Sequence, residues 1–436
     1  MMPRFVHGLV ALTLAAPAAR AGLAEYVKKP DPSFAWKLKR QTLVNGAKVY
    51  TLDLTSQTWQ GIPWKHDLVV VLPADVKPTA TMFLWNQGGK AGVGSLLLAG
   101  DLAAKMRAPV AFLFGVPAQP LFDNLKEDAL IAETFVRYLR TKDEDWPLLF
   151  PMAKSVVKAM DALQAFSKDE LKTDVKDFVV SGASKRGWTT WLTAAADPRV
   201  KAIVPMVIDT LNMQKQLPYQ LESFGHYSDQ IRDYTARKLA PPPKTPEAQK
   251  LWAMVDPWVY RDRFQMPKLI LNGTNDPYWT QDALNLYWDD LPGDKWICYA
   301  PNAGHNLEEK GPDGKKALTR AGGSLPAFAR AYIHGKPLPR LSWKHGERGG
   351  KFTLSVTSDV APAKARLWVA DAPTRDFRKS TWKEQSVSLD RGQASAEAEP
   401  PASGCRAFFI ECEYDLEGLS CFFSTQLRIV GKPQTK

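Results

Sequence analysis

Three residues in this chain have the types and the order of a hydrolytic site: a serine, an aspartate and a histidine. Ser184 lies at the apex of a glycine turn, between an apolar run at 177–183 and a helix-like run at 188–196. This layout is typical of a nucleophile elbow, in which a strained strand-to-helix turn lifts a hydroxyl above a parallel sheet. A serine hydroxyl needs a histidine to take its proton and a carboxylate to orient that histidine. Both partners are therefore expected further along the chain.

The two partners follow in the expected order. Asp276 lies in the loop Asn-Gly-Thr-Asn-Asp-Pro after the apolar run 268–271, and His305 lies in Pro-Asn-Ala-Gly-His-Asn after the next strand-like run. Serine, then acid, then histidine is the chain order of an α/β-hydrolase. Asp209 is a rival acid because it ends the strand directly after the elbow helix, where some hydrolases carry their carboxylate. We favour Asp276 and leave Asp209 open.

Backbone N–H groups are expected to hold the oxyanion. One belongs to Lys185, the residue after the serine, and the second is expected from Gly88 and Gly89, which follow an early strand at 81–85. The alternative for the glycine pair is a plain turn.

The elbow departs from the pattern Gly-x-Ser-x-Gly, because Arg186 stands where the second glycine is expected and the glycine follows at position 187. Lys185 and Arg186 could hold an anionic substrate group or pair with nearby carboxylates, and pairing is favoured for Arg186. Trp188 is a candidate for the wall of an apolar pocket, although tryptophan more often fills a core.

The elements that must position these residues alternate between strand and helix up to about residue 338. This predicts a three-layer α/β sandwich with a mostly parallel sheet over 22–338. The segment from about 211 to 255 breaks the pattern with aromatic, proline-rich and charged pieces, and we expect it to be a lid from which His226 could contact substrate. Short alternating strands over 339–436 predict a β-sandwich accessory domain.

The first 21 residues have the character of a secretory signal peptide. Arg4 supplies a positive charge, 5–16 is apolar, and Ala-Arg-Ala at 19–21 fits a cleavage site. The apolar run is too short to span a bilayer, and no later run is long enough. We expect an exported, soluble protein that begins near Gly22, in a periplasm or the extracellular space.

Export permits disulfides. Cys405, Cys412 and Cys421 lie close together in the sequence and could form a local bridge, without an indication of which pair, while Cys298 stands apart. No cysteine has metal-ligand spacing or the partners of a nucleophilic thiol. Neither a metal nor a cofactor is expected.

The charge balance is basic, with 57 Lys and Arg against 46 Asp and Glu and a formal net charge of +11. The basic residues are spread among acidic ones, without the patch or motif that nucleic-acid binding requires. Specific nucleic-acid binding is therefore excluded, and weak attraction to an anionic cell-envelope surface is the remaining expectation.

Several motifs resemble the PhoPQ-activated pathogenicity-related protein family, from about residue 25 to about residue 430. They are Glu-Asp-Ala-Leu-Ile-Ala at 127–132, Trp-Pro-Leu at 146–148, Pro-Met-Ala-Lys at 151–154, and the serine, aspartate and histidine segments quoted above. The resemblance implies an exported α/β-hydrolase-like protein, tied in bacteria to envelope stress and resistance to cationic peptides. The pattern Gly-x-Ser-[Lys/Arg]-x-Gly is also similar to carbohydrate esterases that cleave glucuronoyl esters, which implies an oxyanion role for Lys185 by analogy.

The favoured hypothesis is an exported serine esterase in which Ser184 attacks a small-molecule, saccharide or peptide ester. Fold-level analogy leaves the substrate open. Two alternatives remain: a binding or signalling protein on a hydrolase scaffold, and a peptidase that acts on cationic peptides.

Overall fold

A computed structural model of the chain describes residues 22–311 and 313–434. The signal peptide expected at 1–21 lies outside the described residues. Within them, none of the helices combines the length and the apolar character that crossing a membrane requires.

A twisted sheet forms the centre of the molecule. Its first nine strands are β1 (Ala35–Val44), β2 (Ala47–Trp59), β3 (Ile62–Leu72), β4 (Thr81–Asn86), β5 (Val110–Leu113), β6 (Asp177–Ala183), β7 (Val200–Met206), β8 (Lys268–Gly273) and β9 (Lys295–Ala300). Their order across the sheet is β1-β2-β3-β5-β4-β6-β7-β8-β9, antiparallel as far as β5 and parallel from β5 to β9. The order reverses around β4, and ligands bind at the carboxyl ends of strands beside such a reversal. The elbow serine follows β6, one of the two neighbours of β4.

Helices cover both faces of this sheet, which confirms the three-layer α/β-hydrolase architecture. They are α1 (Leu23–Lys28), α2 (Val93–Met106), α3 (Glu127–Thr141), α4 (Leu149–Asp169), α5 (Lys185–Ala196), α6 (Met213–Phe224), α7 (Arg232–Thr235), α8 (Pro246–Val255) and α9 (Thr319–Ile333). Residues of α1, α3, α4 and α5 pack into the core on one face, and residues of α2 and α9 into the core on the other. Because helices cover both faces of the sheet, the sequences of the central strands are nearly continuous runs of apolar residues.

The C-terminal part of the chain is all β, as predicted. After the short pair β10 (Glu309–Lys310) and β11 (Lys316–Ala317) come β12 (Leu341–Arg348), β13 (Lys351–Ser358), β14 (Lys364–Ala372), β15 (Lys383–Val387), β16 (Leu389–Asp390), β17 (Gln393–Ala398), β18 (Cys405–Leu416), β19 (Leu419–Ser424) and β20 (Arg428–Gly431). One layer has the order β12-β13-β17-β16, and the other contains β19-β18-β14-β15 with β20 beside β18.

The second of these layers continues the central sheet. Ser424 of β19 pairs with Ile297 of β9, so β1–β9, β14, β15 and β18–β20 form one sheet of 14 strands among the described residues. A buried ion-pair network crosses the same junction, since the Arg320 guanidinium of α9 contacts Glu309 and Glu411. Glu411 is fully buried, and breaking a buried pair by removing one partner costs about 3–5 kcal/mol. The sequence predicts the sandwich but not its fusion to the central sheet.

All four cysteines are buried free thiols, so the expected local bridge is absent. Strand register gives the reason. Cys412 faces Phe423 across the β18–β19 pair, and Cys421 faces Tyr414. Cys405 lies at the other end of β18, where Gly431 and Ala372 are opposite it. No two of these cysteines are directly opposite each other.

The segment between β7 and β8, which we call the insertion, holds α6, α7 and α8. The side chain of Asp256 bonds both of its ends. Asp256 accepts hydrogen bonds from the backbone N–H groups of Asn212 at 3.1 Å, Met213 at 2.8 Å and Trp258 at 2.9 Å. The first N–H groups of a helix have no acceptor within the helix, so this carboxylate caps α6 from the far end of the segment. Both ends of the insertion are therefore tied to one buried carboxylate.

Replacing Asp256 tests whether this carboxylate holds the two ends of the insertion together. Asp256→Ala leaves three backbone N–H groups without their acceptor, so we expect a loss of about 1–3 kcal/mol in the free energy of unfolding and faster tryptic cleavage within the insertion. Asp229→Ala, an exposed carboxylate of the same insertion, is the matched control. Equal unfolding curves and equal cleavage rates for the two variants would contradict the role given to Asp256.

Candidate active site

The site is built around a strained backbone turn at Ser184. Its φ of 58° and ψ of −125° lie in a region that residues other than glycine rarely adopt. The turn is held on both sides, because the Ser184 N–H donates to the Met206 carbonyl at 2.9 Å and the Ser184 carbonyl accepts from the Trp188 N–H at 3.0 Å. The serine thus sits between the end of β6 and the start of α5 in a fixed orientation.

Two glycines make room for the turn. A Cβ added to Gly182 would lie 2.5 Å from Asn86 Nδ2 and 2.6 Å from the Arg186 carbonyl oxygen. A Cβ added to Gly187 would lie 2.6 Å from the Cγ2 atom of Ile208. The glycine is therefore required at 187 because α5 packs closely on the end of β7, which explains its displaced position in the motif.

Arg186, the residue that departs from the motif, is paired inside the protein. Its Nε donates to the Val116 carbonyl at 2.6 Å, and its Nη1 and Nη2 donate to Glu127 at 2.6 and 2.7 Å. Burial would raise the pKa of Glu127, but the hydrogen bonds and charge of Arg186 outweigh it and lower that pKa below its usual range. The guanidinium binds Glu127 in a bidentate manner and is not among the residues that line the pocket above the serine.

Gly88 lies against the same guanidinium. A Cβ at this position would be 1.9 Å from Arg186 Nη2, so the absence of a side chain at 88 is explained by the arginine. Gly89 has open space around it, and its carbonyl accepts from the Gly115 N–H at 2.9 Å. An oxyanion role for the N–H groups of this loop stays a prediction.

The serine, histidine and aspartate form one hydrogen-bonded chain. His305 Nε2 lies 2.8 Å from Ser184 Oγ, and His305 Nδ1 lies 2.8 Å from Asp276 Oδ2. The other carboxylate oxygen of Asp276 accepts from the Tyr278 N–H at 2.9 Å. The Tyr278 ring also stacks on the imidazole, with centroids 4.3 Å apart. Because Asp276 is acceptor-only when ionised, Nδ1 carries the proton and Nε2 is left to accept that of Ser184.

The loops that carry Asp276 and His305 follow β8 and β9 and are tied to each other. The Asn302 N–H donates to Thr274 Oγ1 at 2.9 Å, and the Asn275 N–H donates to the Ala303 carbonyl at 2.9 Å. The acid loop and the histidine loop therefore move as a unit.

A connection in the C-terminal part, 374–382 between β14 and β15, holds both loops. Asn275 Nδ2 donates to the Ser380 carbonyl at 2.7 Å. Asn302 and Trp382 bond reciprocally, with the Asn302 amide donating to the Trp382 carbonyl at 2.9 Å and accepting from its N–H at 2.7 Å. We call this connection the clamp. The C-terminal strands thereby reach the residues next to the serine's partners.

Lys185 opens α5, and its N–H has no acceptor within the helix, as an oxyanion donor requires. Its side chain turns to Asp128, with Nζ 2.5 Å from Oδ2 and 3.1 Å from the Tyr278 hydroxyl. Burial alone would lower the pKa of Lys185, but the Asp128 carboxylate and Tyr278 outweigh it, so the pKa is raised. The ammonium is therefore charged and already paired.

A pocket opens above the serine. It is lined by Asp128, Ser184, Lys185, Trp188, Ile208, Thr210, Met213, Leu217, Ile231, Tyr234, Ala240, Trp252, Tyr278, Trp279 and His305. Most of these side chains are apolar, and eight of them come from the segment between β7 and β8. Trp188 lines the pocket as expected, and its indole N–H is held by the Val255 carbonyl at 2.6 Å.

The family model of the PhoPQ-activated pathogenicity-related proteins matches residues 23–378. The chain belongs to this family. It is also 32% identical to autocrine proliferation repressor protein A of Dictyostelium discoideum over 445 residues, which cover 93% of this chain and 88% of the relative.

Solved structures similar to this chain are more distant. Acetyl xylan esterases from Paenibacillus sp. R4 and Thermoanaerobacterium sp. JW/SL YS485 match with TM-scores of 0.47, at 13% and 17% identity, over 65% of this chain and 86% of theirs. A glucuronoyl esterase from Solibacter usitatus matches with a TM-score of 0.36 at 12% identity, over 61% of this chain and 75% of its own. Similarity at this level does not indicate what this family member binds.

Asp209, the rival acid, has other partners. It accepts hydrogen bonds from Asn272 Nδ2 at 3.0 Å and from the Tyr287 hydroxyl. Burial, with a smaller contribution from the Asp276 charge, outweighs these two hydrogen bonds and raises the pKa of Asp209 to about 7. Of the two carboxylates, Asp276 is the one bonded to His305.

His226 is not in the pocket. It is exposed just after the end of α6, with its ring 6.4 Å from that of Phe224. Gly225 ends α6 in a left-handed conformation directly before it. A substrate contact from His226 stays a prediction.

Sequence reasoning missed four residues that support the site: Asp128, Tyr278, Asn275 and Asn302. Asp128, Asn275 and Asn302 lie inside motifs quoted above and Tyr278 directly follows one, which is the signal that was available. Their partners are far away in the chain, since Asn275 and Ser380 are 105 residues apart. No spacing rule connects such positions.

The clamp yields a prediction for Asn275→Ala. Loss of the amide frees the acid loop next to Asp276. A misplacement of about 1 Å can cost about 100-fold, so we expect kcat on a reactive aryl ester to fall about 10- to 100-fold while KM changes little.

Asn285→Ala is the matched control for this variant. Asn285 also bonds the C-terminal part, through the Leu427 carbonyl at 2.8 Å, but lies outside the acid and histidine loops. We expect it to lower stability by a similar amount and to keep kcat. Equal kcat values for the two variants would show that the clamp does not position Asp276.

Proposed function

We propose that this protein is an exported serine hydrolase that cleaves carboxylic esters. The observation that carries the proposal is the chain Ser184–His305–Asp276, in which both hydrogen bonds measure 2.8 Å. The strained turn that presents the serine is the second support. Export is supported by the signal-like residues 1–21.

The proposed reaction follows from the assignment of a proton to His305 Nδ1, which leaves Nε2 free to accept the proton of Ser184. His305 Nε2 takes the Ser184 hydroxyl proton as Oγ attacks the acyl carbonyl, and Asp276 stabilises the imidazolium that forms. The N–H of Lys185 and an N–H of the Gly88–Gly89 loop hold the oxyanion. The imidazolium then gives its proton to the leaving alcohol. A water molecule next attacks the acyl-serine while His305 takes its proton, and the imidazolium returns a proton to Ser184 Oγ as the acid leaves.

An ester is favoured over a cationic peptide by the charges near the serine. The two carboxylates beside the elbow, Glu127 and Asp128, are each paired with a basic residue of α5. A basic side chain of a peptide would therefore find no free carboxylate at either position.

Ser184→Ala tests the proposal. Loss of the nucleophile leaves only binding and oxyanion stabilisation, so kcat on 4-nitrophenyl acetate is expected to fall at least about 10⁴-fold. Ser181→Ala is the matched control, because this buried serine lies three residues earlier and its hydroxyl donates to the Val204 carbonyl at 2.7 Å, away from His305. Retention of full turnover by Ser184→Ala would falsify the assignment.

The identity of the acid is tested by two isosteric variants. Asp276→Asn puts an amide beside His305 Nδ1 and favours the wrong tautomer, so kcat is expected to fall by about 10³ to 10⁴. Asp209→Asn keeps a hydrogen-bonding partner for Asn272 and Tyr287, so we expect a loss below about 10-fold. Steady-state kinetics at one pH compare the two, and a larger loss for Asp209→Asn would reverse the assignment.

A second candidate function is extracellular signalling, which is favoured by the name of the Dictyostelium relative, an autocrine proliferation repressor. In that case Ser184 would be dispensable. Adding purified wild-type protein and the Ser184→Ala variant to growing cells separates the two: equal repression by both supports signalling, and no repression by either counts against it.

A further inference from the structure

We infer that the acyl group accepted at Ser184 is short and uncharged, with about two to four carbon atoms. The inference rests on the proposed ester hydrolysis and adds a substrate class to it. Three features of the pocket carry it: its free space, the anchoring of its wall, and the pairing of its charges.

The space above the serine is narrow. Centres of water molecules can occupy about 40 Å³ of the pocket. One water needs roughly 10–15 Å³ on this measure, so the space of about 40 Å³ corresponds to about three to four waters, or to the carbon atoms of an acyl group with up to about four carbons. Buried indoles of Trp188, Trp252 and Trp279 bound it, and indole rings yield little space by changing rotamer. A longer acyl chain would collide with the wall.

The wall facing the indoles is anchored. Met213 and Leu217 project from α6, which Asp256 caps at its start. Further along α6, Gln216 donates to the Ala283 carbonyl at 3.1 Å and Gln220 to the Tyr278 carbonyl at 2.9 Å. The helix is bonded to the acid loop itself, so it cannot withdraw without disturbing that loop.

Ser228 extends this anchoring beyond α6. Its hydroxyl donates to the Pro277 carbonyl at 2.7 Å, directly after Asp276. The insertion is therefore a fixed cap, and the small pocket is the size that a substrate meets.

The charges in the pocket are balanced. The Lys185 ammonium lies on Asp128, which also accepts from the Tyr234 hydroxyl at 3.0 Å. An anionic acyl group needs a free cation and a cationic one needs a free anion, since an unpaired buried charge is costly. Lys185 and Asp128 satisfy each other, so an uncharged group is the one that enters without a penalty.

Polar atoms are nevertheless available for an uncharged oxygen. Among the described residues that line the pocket, Thr210 Oγ1 and the indole nitrogens of Trp252 and Trp279 are buried without a protein partner. Such groups favour a ligand that brings a hydrogen-bond acceptor. The scissile carbonyl is held at the oxyanion site, so these atoms are served by a further uncharged oxygen of the substrate or by water, and the tail of a fatty acid brings no such oxygen.

The test compares 4-nitrophenyl esters of rising acyl length with the mature wild-type protein. We expect kcat/KM for the acetate to exceed that for the octanoate at least about 100-fold, since each methylene that does not fit costs about 10-fold or more. Leu217→Ala and Met213→Ala shorten the wall and are expected to reduce this ratio at least about 10-fold. Leu221→Ala, on the exposed side of α6, is the matched control and should leave the ratio unchanged.

Charge is tested with two esters of equal acyl length, 4-nitrophenyl butyrate and the mono-4-nitrophenyl ester of succinic acid. Wild type is expected to prefer the butyrate at least about 10-fold. Asp128→Asn removes the partner of Lys185 and is expected to shift this preference toward the succinate. If lengthening the alcohol of an acetate ester lowers kcat/KM of the wild type while lengthening the acyl group does not, the pocket holds the leaving group. That result would overturn the inference.

The outcomes separate the inference from the proposed function. Hydrolysis of the octanoate or the succinate as fast as the acetate overturns the inference, while Ser184-dependent turnover still supports a serine esterase. Absence of turnover on every ester, with Ser184 unmodified, overturns both.

Discussion

The strained turn at Ser184 is the constraint to which the rest of the site is fitted. A residue with a side chain is held at φ 58° because β6 and α5 meet at that point and leave no room for a relaxed path. Gly182 and Gly187 leave room for the close contacts around this turn. The hydrogen bond from the Ser184 N–H to the Met206 carbonyl ties the turn to the neighbouring strand, β7. Backbone strain of this kind costs on the order of 1–3 kcal/mol and persists only where the surroundings determine it.

The first residues of α5 and α3 carry opposite charges that pair with each other beside this turn. Lys185 and Arg186 begin α5, where positive charge is unfavourable next to the helix N-terminus. Glu127 and Asp128 begin α3, where negative charge is favourable, and each carboxylate contacts one of the two basic residues. The basic pair that distinguishes this elbow is thus neutralised by an acidic pair within the motif that begins α3.

The C-terminal strands belong to the same arrangement. They continue the central sheet through β9, and the clamp between β14 and β15 reaches the loops of Asp276 and His305. An accessory domain on a flexible linker would not offer this. Here the β-rich segment supports the histidine and its acid directly.

The sequence was sufficient for the features whose signals are local. The elbow, the alternation of strands and helices, the order Ser184, Asp276, His305 and the pairing of Arg186 with a carboxylate all follow from short patterns. Three features depend on contacts between residues far apart in the chain: the clamp, the capping of α6 by Asp256, and the fusion of the C-terminal layer to the central sheet. No periodicity in the sequence encodes such contacts. The expected disulfide was wrong for the same reason, since strand register decides which cysteines lie opposite each other.

The central claim is that Ser184 is a nucleophile activated by His305. The most direct measurement is reaction of the folded protein with a fluorophosphonate probe, followed by mass spectrometry of the peptides. The account predicts one modification, on Ser184, which disappears when the protein is unfolded first and in the His305→Ala variant. Absence of labelling in the folded protein, or labelling at another residue with Ser184 unmodified, would contradict it.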